Sequence, residues 1–387
     1  MHVAIFTDND FDKINGVTTT FTAALRHAPE GTRLRMYTSA TLAVDAPDYL
    51  AVRSLGIPIP FYGEMRMYVP RLHEFLKRAR ADRIDLVHLT TPGPIGLAAL
   101  FVAWRLQLPI VGSFHTDLAA YAARLSGSAR LGALMREYMR WPYGKCARIL
   151  VPSEHTRQLL IDARANPETI DVWTRGVDTT LFSPSKRSMA LRESWRVSDR
   201  RVALLYVGRV SREKGLEALP LIGDRLHALG IEHRFIIVGD GPLLSTLRSR
   251  LPDAVFTGSL ARENVADAFA SADLFVFPST TDTAGNVVLE AQASGLPVIV
   301  SGTGGPRENM RAGCTGTVCH GEDPDEWARA IANQLRDPAL ARVRAAAREY
   351  AMTRTWARAL EPLFRVYREV LEGVAPATAV QPAVQGV

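Results

Sequence analysis

Two carboxylates, Asp282 and Glu290, flank a Gly-Asn step in the stretch TDTAGNVVLEAQASGLP, residues 281–297. Such a pair has three chemical uses: proton shuttling, metal binding, or hydrogen bonding to hydroxyls. A glycosidase-type pair needs its carboxyls about 5 to 10 Å apart, a distance that sequence does not supply. No further His, Asp or Cys falls at ligand spacing around them, which argues against a metal dyad. The plainest reading of Asp282 is a helix N-cap, because the periodic run NVVLEAQAS requires a helix to begin at Gly285. Glu290 fits a capping or decorating role less well. Its helical neighbours are Asn286, Val287, Ala293 and Ser294, a small and partly polar face that lets something come close.

A second constellation carries the opposite charge. In YVGRVSREKGLEAL, Arg209 and Lys214 directly follow a buried strand, ahead of an amphipathic helix expected to start at Gly215. Two cations at a strand's carboxyl end suit a diphosphate, Arg through its bidentate fork and Lys as a point charge. Solvated loop cations are the alternative. NDFDKINGVTTTF places Gly16 at a helix entry, where free amides and the positive helix end attract anions, though an ordinary strand-to-helix turn reads the same way. VGDGPLL makes a tight turn around Gly239 and Gly241, and VGSFHTD ends a strand with His115 and Asp117. His115 is either a satisfied structural residue or a donor to phosphate or sugar oxygens. None of these runs matches the dinucleotide fingerprint G-x-G-x-x-G, which weighs against a dehydrogenase.

Positioning such residues takes strand ends. The runs HVAIFTD, RLRMYTS, DLVHLTT, PIVGSFH and RILVPS read as buried parallel strands, each followed by a helical pattern such as 18–26 or 94–106. The series restarts after Pro184 with ALLYVG, RFIIVG, AVFTGS, LFVFPS and PVIVSG. Strands alternating with helices argue for right-handed βαβ units, here built twice. The expected organisation is an N-terminal Rossmann-like domain over 1–183 and a C-terminal one over 184–353. A helix over 354–374 is expected to cross back to the first domain, and a tail over 375–387 to be disordered. Two doubly wound sheets facing a central cleft would put strand ends and helix N-termini around a phosphate-bearing ligand.

Composition agrees with two globular domains. The chain has 387 residues, 47% hydrophobic and 22% charged, too long for one typical core and too apolar for a disordered polymer. Its net charge of +6 favours an anionic partner. Nucleic acid is disfavoured, because the cations sit at strand ends among glycines and no nucleic-acid motif occurs. Cys146, Cys314 and Cys319 are an odd number at spacings unlike a zinc knuckle, so reduced thiols are the simpler reading than zinc at Cys314, Cys319 and His320. The first ten residues lack a signal peptide's basic start and apolar core, and no uncharged run of about 18 apolar residues occurs. A cytoplasmic protein is expected.

Taken in order, the motifs NGV, TPGPIGLAAL, FHTD, VPSEHTRQLL, RGVDTTLFSP, GRVSREKGLEAL, VGDGPLL, GNVVLEAQASGLPVI and GGPREN resemble the retaining nucleotide-sugar glycosyltransferases of family four. The resemblance covers nearly the whole chain and implies the two-domain GT-B fold. It implies that the Gly16 amide borders the donor diphosphate and that Arg209 and Lys214 neutralise it. Glu290 would bind the ribose hydroxyls, and Asp282 hydroxyls of the transferred sugar, with Ala284, Gly285 and Asn286 completing the donor pocket. His115 would lie over the sugar and stabilise developing charge. The implied reaction moves a hexose from a UDP- or GDP-sugar to an acceptor hydroxyl with retention, without a metal or other cofactor. Asp282 is one methylene shorter than the usual Glu. Ala284 replaces a usually bulky apolar residue, which opens the question of which sugar fits.

The branch resembled most includes bacterial mannosyltransferases and diacylglycerol or sulfolipid glycosyltransferases, which implies a lipid or glycolipid acceptor. In SARLGALMREYMRWPYGK, Leu131, Leu134, Met135, Tyr138 and Met139 fall at helical spacing among Arg130, Arg136, Arg140 and Lys145. Such a helix either lies on anionic lipid at the inner face of the plasma membrane or packs on the sheet with a solvated basic face. A sugar-nucleotide epimerase or phosphorylase on the same fold and a non-catalytic nucleotide-sugar-binding protein are the competing readings.

Overall fold

The computed structural model describes residues 1–9, 15–59 and 62–374; the expected tail over 375–387 lies outside them. The chain divides into two compact units, one of residues 1–174 with 360 onward, the other of residues 175–359.

The first unit is built on strands β1 (His2–Phe6), β2 (Arg33–Ala40), β3 (Val44–Asp45), β4 (Tyr49–Arg53), β5 (Gly56–Ile59), β6 (Tyr62–Tyr68), β7 (Leu86–Leu89), β8 (Ile110–Ser113), β9 (Arg148–Val151) and β10 (Ile170–Val172). Its helices are α1 (Gly16–Arg26), α2 (Leu72–Asp82), α3 (Pro94–Leu106), α4 (Leu118–Ser126), α5 (Ala129–Tyr143) and α6 (Glu154–Asp162). An eight-stranded sheet runs in the order β10-β9-β8-β7-β1-β2-β4-β3, parallel except for the β3–β4 pair. The first strand, HVAIF, is buried along its whole length, as a strand covered on both faces must be. Since β2 leaves β1 on one side and β7 lies on the other, the topology switches between β1 and β7. Strands β3 to β6 and β10 lie outside the runs read from periodicity, although β4 and β6, at five and seven residues, are no shorter than β1.

The second unit contains α7 (Met189–Ser194), β11 (Val202–Val207), α8 (Leu219–Ala228), β12 (His233–Val238), α9 (Leu244–Arg250), β13 (Val255–Gly258), α10 (Arg262–Ser271), β14 (Leu274–Phe277), α11 (Asn286–Ala293), β15 (Val298–Ser301), β16 (Gly316–Cys319), α12 (Pro324–Arg336) and α13 (Leu340–Met352). Its six strands are all parallel, in the order β13-β12-β11-β14-β15-β16, so the switch falls between β11 and β14. Helix α14 (Trp356–Leu371) begins in this unit, and from Leu360 it belongs to the first.

The division falls at Thr174/Arg175, ahead of the expected boundary at Ser183. The cause is local: Val177 bridges to Thr355, and Arg348 donates to the carbonyls of Thr179 and Phe182, so residues 175–183 pack on the second unit. Gly215 also departs from expectation. The amphipathic helix does not start there; two 3-10 turns, Arg212–Lys214 and Leu216–Ala218, meet at Gly215, and α8 begins at Leu219.

Candidate active site

In the second unit, the chemistry-bearing residues gather where theory puts a ligand on an open parallel sheet, beyond the carboxyl ends of the two strands that flank the topological switch. Arg209 and Lys214 follow β11, and Asp282 and Glu290 follow β14, its neighbour. The Lys214 ammonium donates to both oxygens of Asp282, each at 2.9 Å. Asp282 is therefore not the N-cap of α11. That position is Gly285, at φ +70, which offers no side-chain cap. Asp282 is held by charge instead, and it holds Lys214 in turn.

Arg209 stands near the buried carboxylate of Glu213, with Nε at 3.9 Å. Ser211 donates its hydroxyl to Glu213, and Thr281 donates to the Glu213 carbonyl at 3.0 Å. Sequence reading missed Glu213 as a support, although its i,i+4 spacing from Arg209 was a signal.

Gly215 is required by backbone and space together. It sits at φ +72, and an added Cβ would lie 2.7 Å from the Pro278 carbonyl oxygen at the end of β14. Gly215→Ala is expected to lower stability by about 1–2 kcal/mol through left-handed strain and to push the Lys214 loop off β14. A thermal melt and donor affinity measure the two effects.

Glu290 is buried on α11, and burial pushes its carboxyl above the usual range, against the pull of Arg262. The Arg262 guanidinium lies 3.3 Å from Glu290 Oε1 and over the Phe182 ring. Sequence reading missed Arg262, because it starts a different helix and only folding brings it to α11. One turn before Glu290, both side-chain polar atoms of Asn286 are buried with no hydrogen-bond partner among the described residues, as is the Ser294 hydroxyl one turn after it. Orphaned polar atoms along one helix face mark a surface awaiting a ligand.

The loop that carries Asp282 and Ala284 is braced from behind. Gly305 donates its amide to the Asp282 carbonyl at 2.9 Å, and Asn309 donates to the Ala284 carbonyl at 2.6 Å. A Cβ on Gly305 would fall 2.0 Å from the Thr283 oxygen. GGPREN thus shapes this loop by holding its backbone carbonyls, with the Gly305 amide and the Asn309 side chain as donors. The turn at Gly239 and Gly241 also needs its glycines, since a Cβ at either would strike the carbonyl of Gly208 or Val210.

In the first unit, Asn15 caps α1 by accepting from the amides of Val17 and Thr18, which leaves the amide of the exposed Gly16 outside the cap. Asp117 caps α4. His115, between β8 and α4, accepts or donates at Nε2 to the Ser113 hydroxyl at 2.7 Å. Its ring packs edge-on against Phe21 of α1 and Trp173. Helix α5 splits the run read as one apolar stripe. Met139 is buried and Met135 packs on the core, whereas Leu131, Leu134, Tyr138 and Trp141 share an outward face, with Leu134 67% and Trp141 56% exposed. Among the described residues no group of three metal-ligating side chains forms, and no helix is long and apolar enough to cross a membrane.

Two parallel-sheet α/β units are the architecture of the GT-B fold that the motifs implied, and sequence comparison shows the family. Residues 14–181 match the model of Glycosyltransferase Family 4, and residues 201–337 that of Glycosyl transferases group 1. A GDP-mannose-dependent alpha-mannosyltransferase of Corynebacterium glutamicum is 32% identical over 96% of this chain and 89% of its own. An alpha-monoglucosyldiacylglycerol synthase of Streptococcus pneumoniae is 25% identical over 78% of this chain and 71% of its own. Among solved structures, Anabaena HepE in complex with UDP-glucose superposes with a TM-score of 0.76 at 18% identity, covering 95% of this chain and all of that one. The chain belongs to glycosyltransferase family four. It is a glycosyltransferase with the GT-B fold.

Proposed function

We propose that the protein transfers mannose, with retention, from GDP-mannose to a hydroxyl of a membrane lipid or glycolipid. The observation that carries this reading is the Lys214–Asp282 pair at the β11/β14 switch. A cation for a leaving diphosphate and a carboxylate for sugar hydroxyls stand within one hydrogen bond of each other. Arg209 and Lys214 meet the diphosphate charge, so the chain's own cations do the work of a metal. Asp282 takes hydroxyls of the transferred sugar beside Ala284 and Gly285, and Asn286 offers its orphaned amide to the donor. Glu290 accepts the ribose hydroxyls. By the family resemblance, the Gly16 amide borders the diphosphate and His115 steadies charge developing on the sugar.

The acceptor hydroxyl attacks the anomeric carbon from the face the phosphate leaves, and the departing phosphate takes the proton. The protein's contribution is orientation and electrostatic stabilisation of that phosphate. GDP-mannose is favoured because three relatives that align over 96% of this chain are GDP-mannose-dependent alpha-mannosyltransferases. A lipid acceptor is favoured by the outward apolar stripe of α5 and its flanking Arg130, Arg136, Arg140 and Lys145, all exposed. A helix of this kind binds anionic lipid through both area and charge, which suits a cytoplasmic protein at the inner face of the plasma membrane.

A panel of nucleotide sugars with a membrane-lipid extract, read by mass, tests donor and acceptor together. The expected product is a lipid heavier by one hexose, formed from GDP-mannose and undiminished by a chelator. Product from a UDP-sugar alone would overturn the donor assignment. Interconversion of donor sugars without acceptor would turn the reading to an epimerase, and tight donor binding with no release of nucleoside diphosphate to a non-catalytic binder.

A further inference from the structure

The candidate histidine of the first unit does not stand alone. Tyr367 Oη lies 2.6 Å from His88 Nδ1, His88 Nε2 lies 2.7 Å from Ser113 Oγ, and Ser113 Oγ lies 2.7 Å from His115 Nε2. Three of these groups, Tyr367, His88 and Ser113, are fully buried. They come from α14, β7 and β8, so the chain of bonds exists only in the folded unit.

A row of hydrogen bonds among groups with one proton each can run along the row in two directions, or converge on Ser113 with both histidines donating to it. Among the described residues the converging case strands the buried Ser113 proton. In the first, Tyr367 donates to His88 Nδ1, His88 donates from Nε2 to Ser113, and Ser113 donates to His115 Nε2. In the second, His115 donates from Nε2, every bond reverses, and the Tyr367 hydroxyl proton must find another acceptor. Among the described residues Tyr367 has no hydrogen-bond partner besides His88. The second direction therefore strands a buried donor, the costly case. His88 meets the remaining condition of a neutral ring, since burial pushes its imidazolium down to about 3.

We propose that Tyr367, His88 and Ser113 form a relay that fixes His115 as the Nδ1–H tautomer, so that the C-terminal helix sets which nitrogen of His115 donates. His115 Nε2 is then an occupied acceptor, and the ring carries its proton on Nδ1. This suits stabilisation of charge on a sugar oxygen and rules out a base at Nε2. Phe21 and Trp173, packed edge-on to the ring, keep it from flipping to exchange its nitrogens. Tyr367, His88 and Ser113 are positioning residues, and their effect on turnover rests on the reading of His115 as a site residue.

Long-range ¹H–¹⁵N spectra of the full chain labelled at histidine read the tautomers without reference to activity. The expected wild-type pattern has His115 protonated at Nδ1 and His88 at Nε2. Ser113→Ala, which removes the donor to His115 Nε2, is expected to release His115 toward the Nε2–H form that free imidazole side chains prefer. It should lower kcat about tenfold, the worth of one well-placed hydrogen bond, with donor KM unchanged. Ser113→Thr, which keeps the hydroxyl, should restore both. Tyr367→Phe should move the His115 signals part of the way. An Nε2–H tautomer at His115 in the wild-type protein overturns the relay, as does a Ser113→Ala spectrum identical to wild type. Full activity in His115→Ala would instead overturn the functional reading of His115 and leave the tautomer result standing.

Discussion

Lys214→Ala lowers transfer about 100- to 1,000-fold, the usual worth of one preorganised group aimed at developing charge, with the loss in kcat. The ammonium sits at the end of β11 with both Asp282 oxygens at 2.9 Å, so it is already oriented before any donor arrives. In the ground state a nucleoside diphosphate spreads its charge over two phosphates. In the transition state, negative charge builds on the leaving phosphate, and a fixed cation there is worth more than in water. Deleting Lys214 also leaves Asp282 without its counter-charge, at 21% exposure, which weakens its placement against the sugar. Lys214→Arg keeps the charge but replaces a point donor with a broad fork, and a partial loss follows. Steady-state kcat and KM for the donor, with a thermal melt as the folding control, check the result. Wild-type kcat in Lys214→Ala would remove the β11/β14 switch as the site of chemistry.

Glu290→Ala raises the donor KM about 10- to 100-fold, in keeping with one or two charge-assisted hydrogen bonds, and leaves kcat within a few-fold of wild type. The ribose is remote from the bond that breaks, so its contacts bind ground and transition states alike. The same carboxyl yields a pH dependence with a definite sign. Burial raises the affinity of Glu290 for a proton, and in the proposed role only the ionised form would accept both ribose hydroxyls. On acidification, donor KM therefore begins to climb at a higher pH than an ordinary carboxylate would give, and the climb vanishes in Glu290→Ala. An equal fall in kcat and kcat/KM would instead tie Glu290 to the reacting bond.

Much of this site was legible because its residues sit at ends of strands that the sequence announces. VALLYV and LFVF are buried apolar runs with breaking residues after them, and the cations and carboxylates come directly behind. The pairing of Lys214 with Asp282 was not legible. It depends on β11 and β14 being neighbours, and that adjacency arises from the crossover order of the sheet. The N-cap reading of Asp282 failed for the same reason, since a local rule does not see a cation from another strand. Ala284, singled out as a departure from the family pattern, has its carbonyl held by Asn309 of the GGPREN loop. Its own position is thus set from outside the loop that contains it.

By itself the sequence determined two parallel α/β units, the family, and the list of charged residues at strand ends. Periodicity, turn residues and motif order are local properties, and local physics is enough to read them. Tertiary structure alone decided which of those residues meet: Asp282 with Lys214, Glu290 with Arg262, and His115 through Ser113 and His88 with Tyr367. Each pairing joins groups far apart in the chain. Their charge balance, burial and proton positions follow from strand order and helix docking, which no short stretch of sequence encodes.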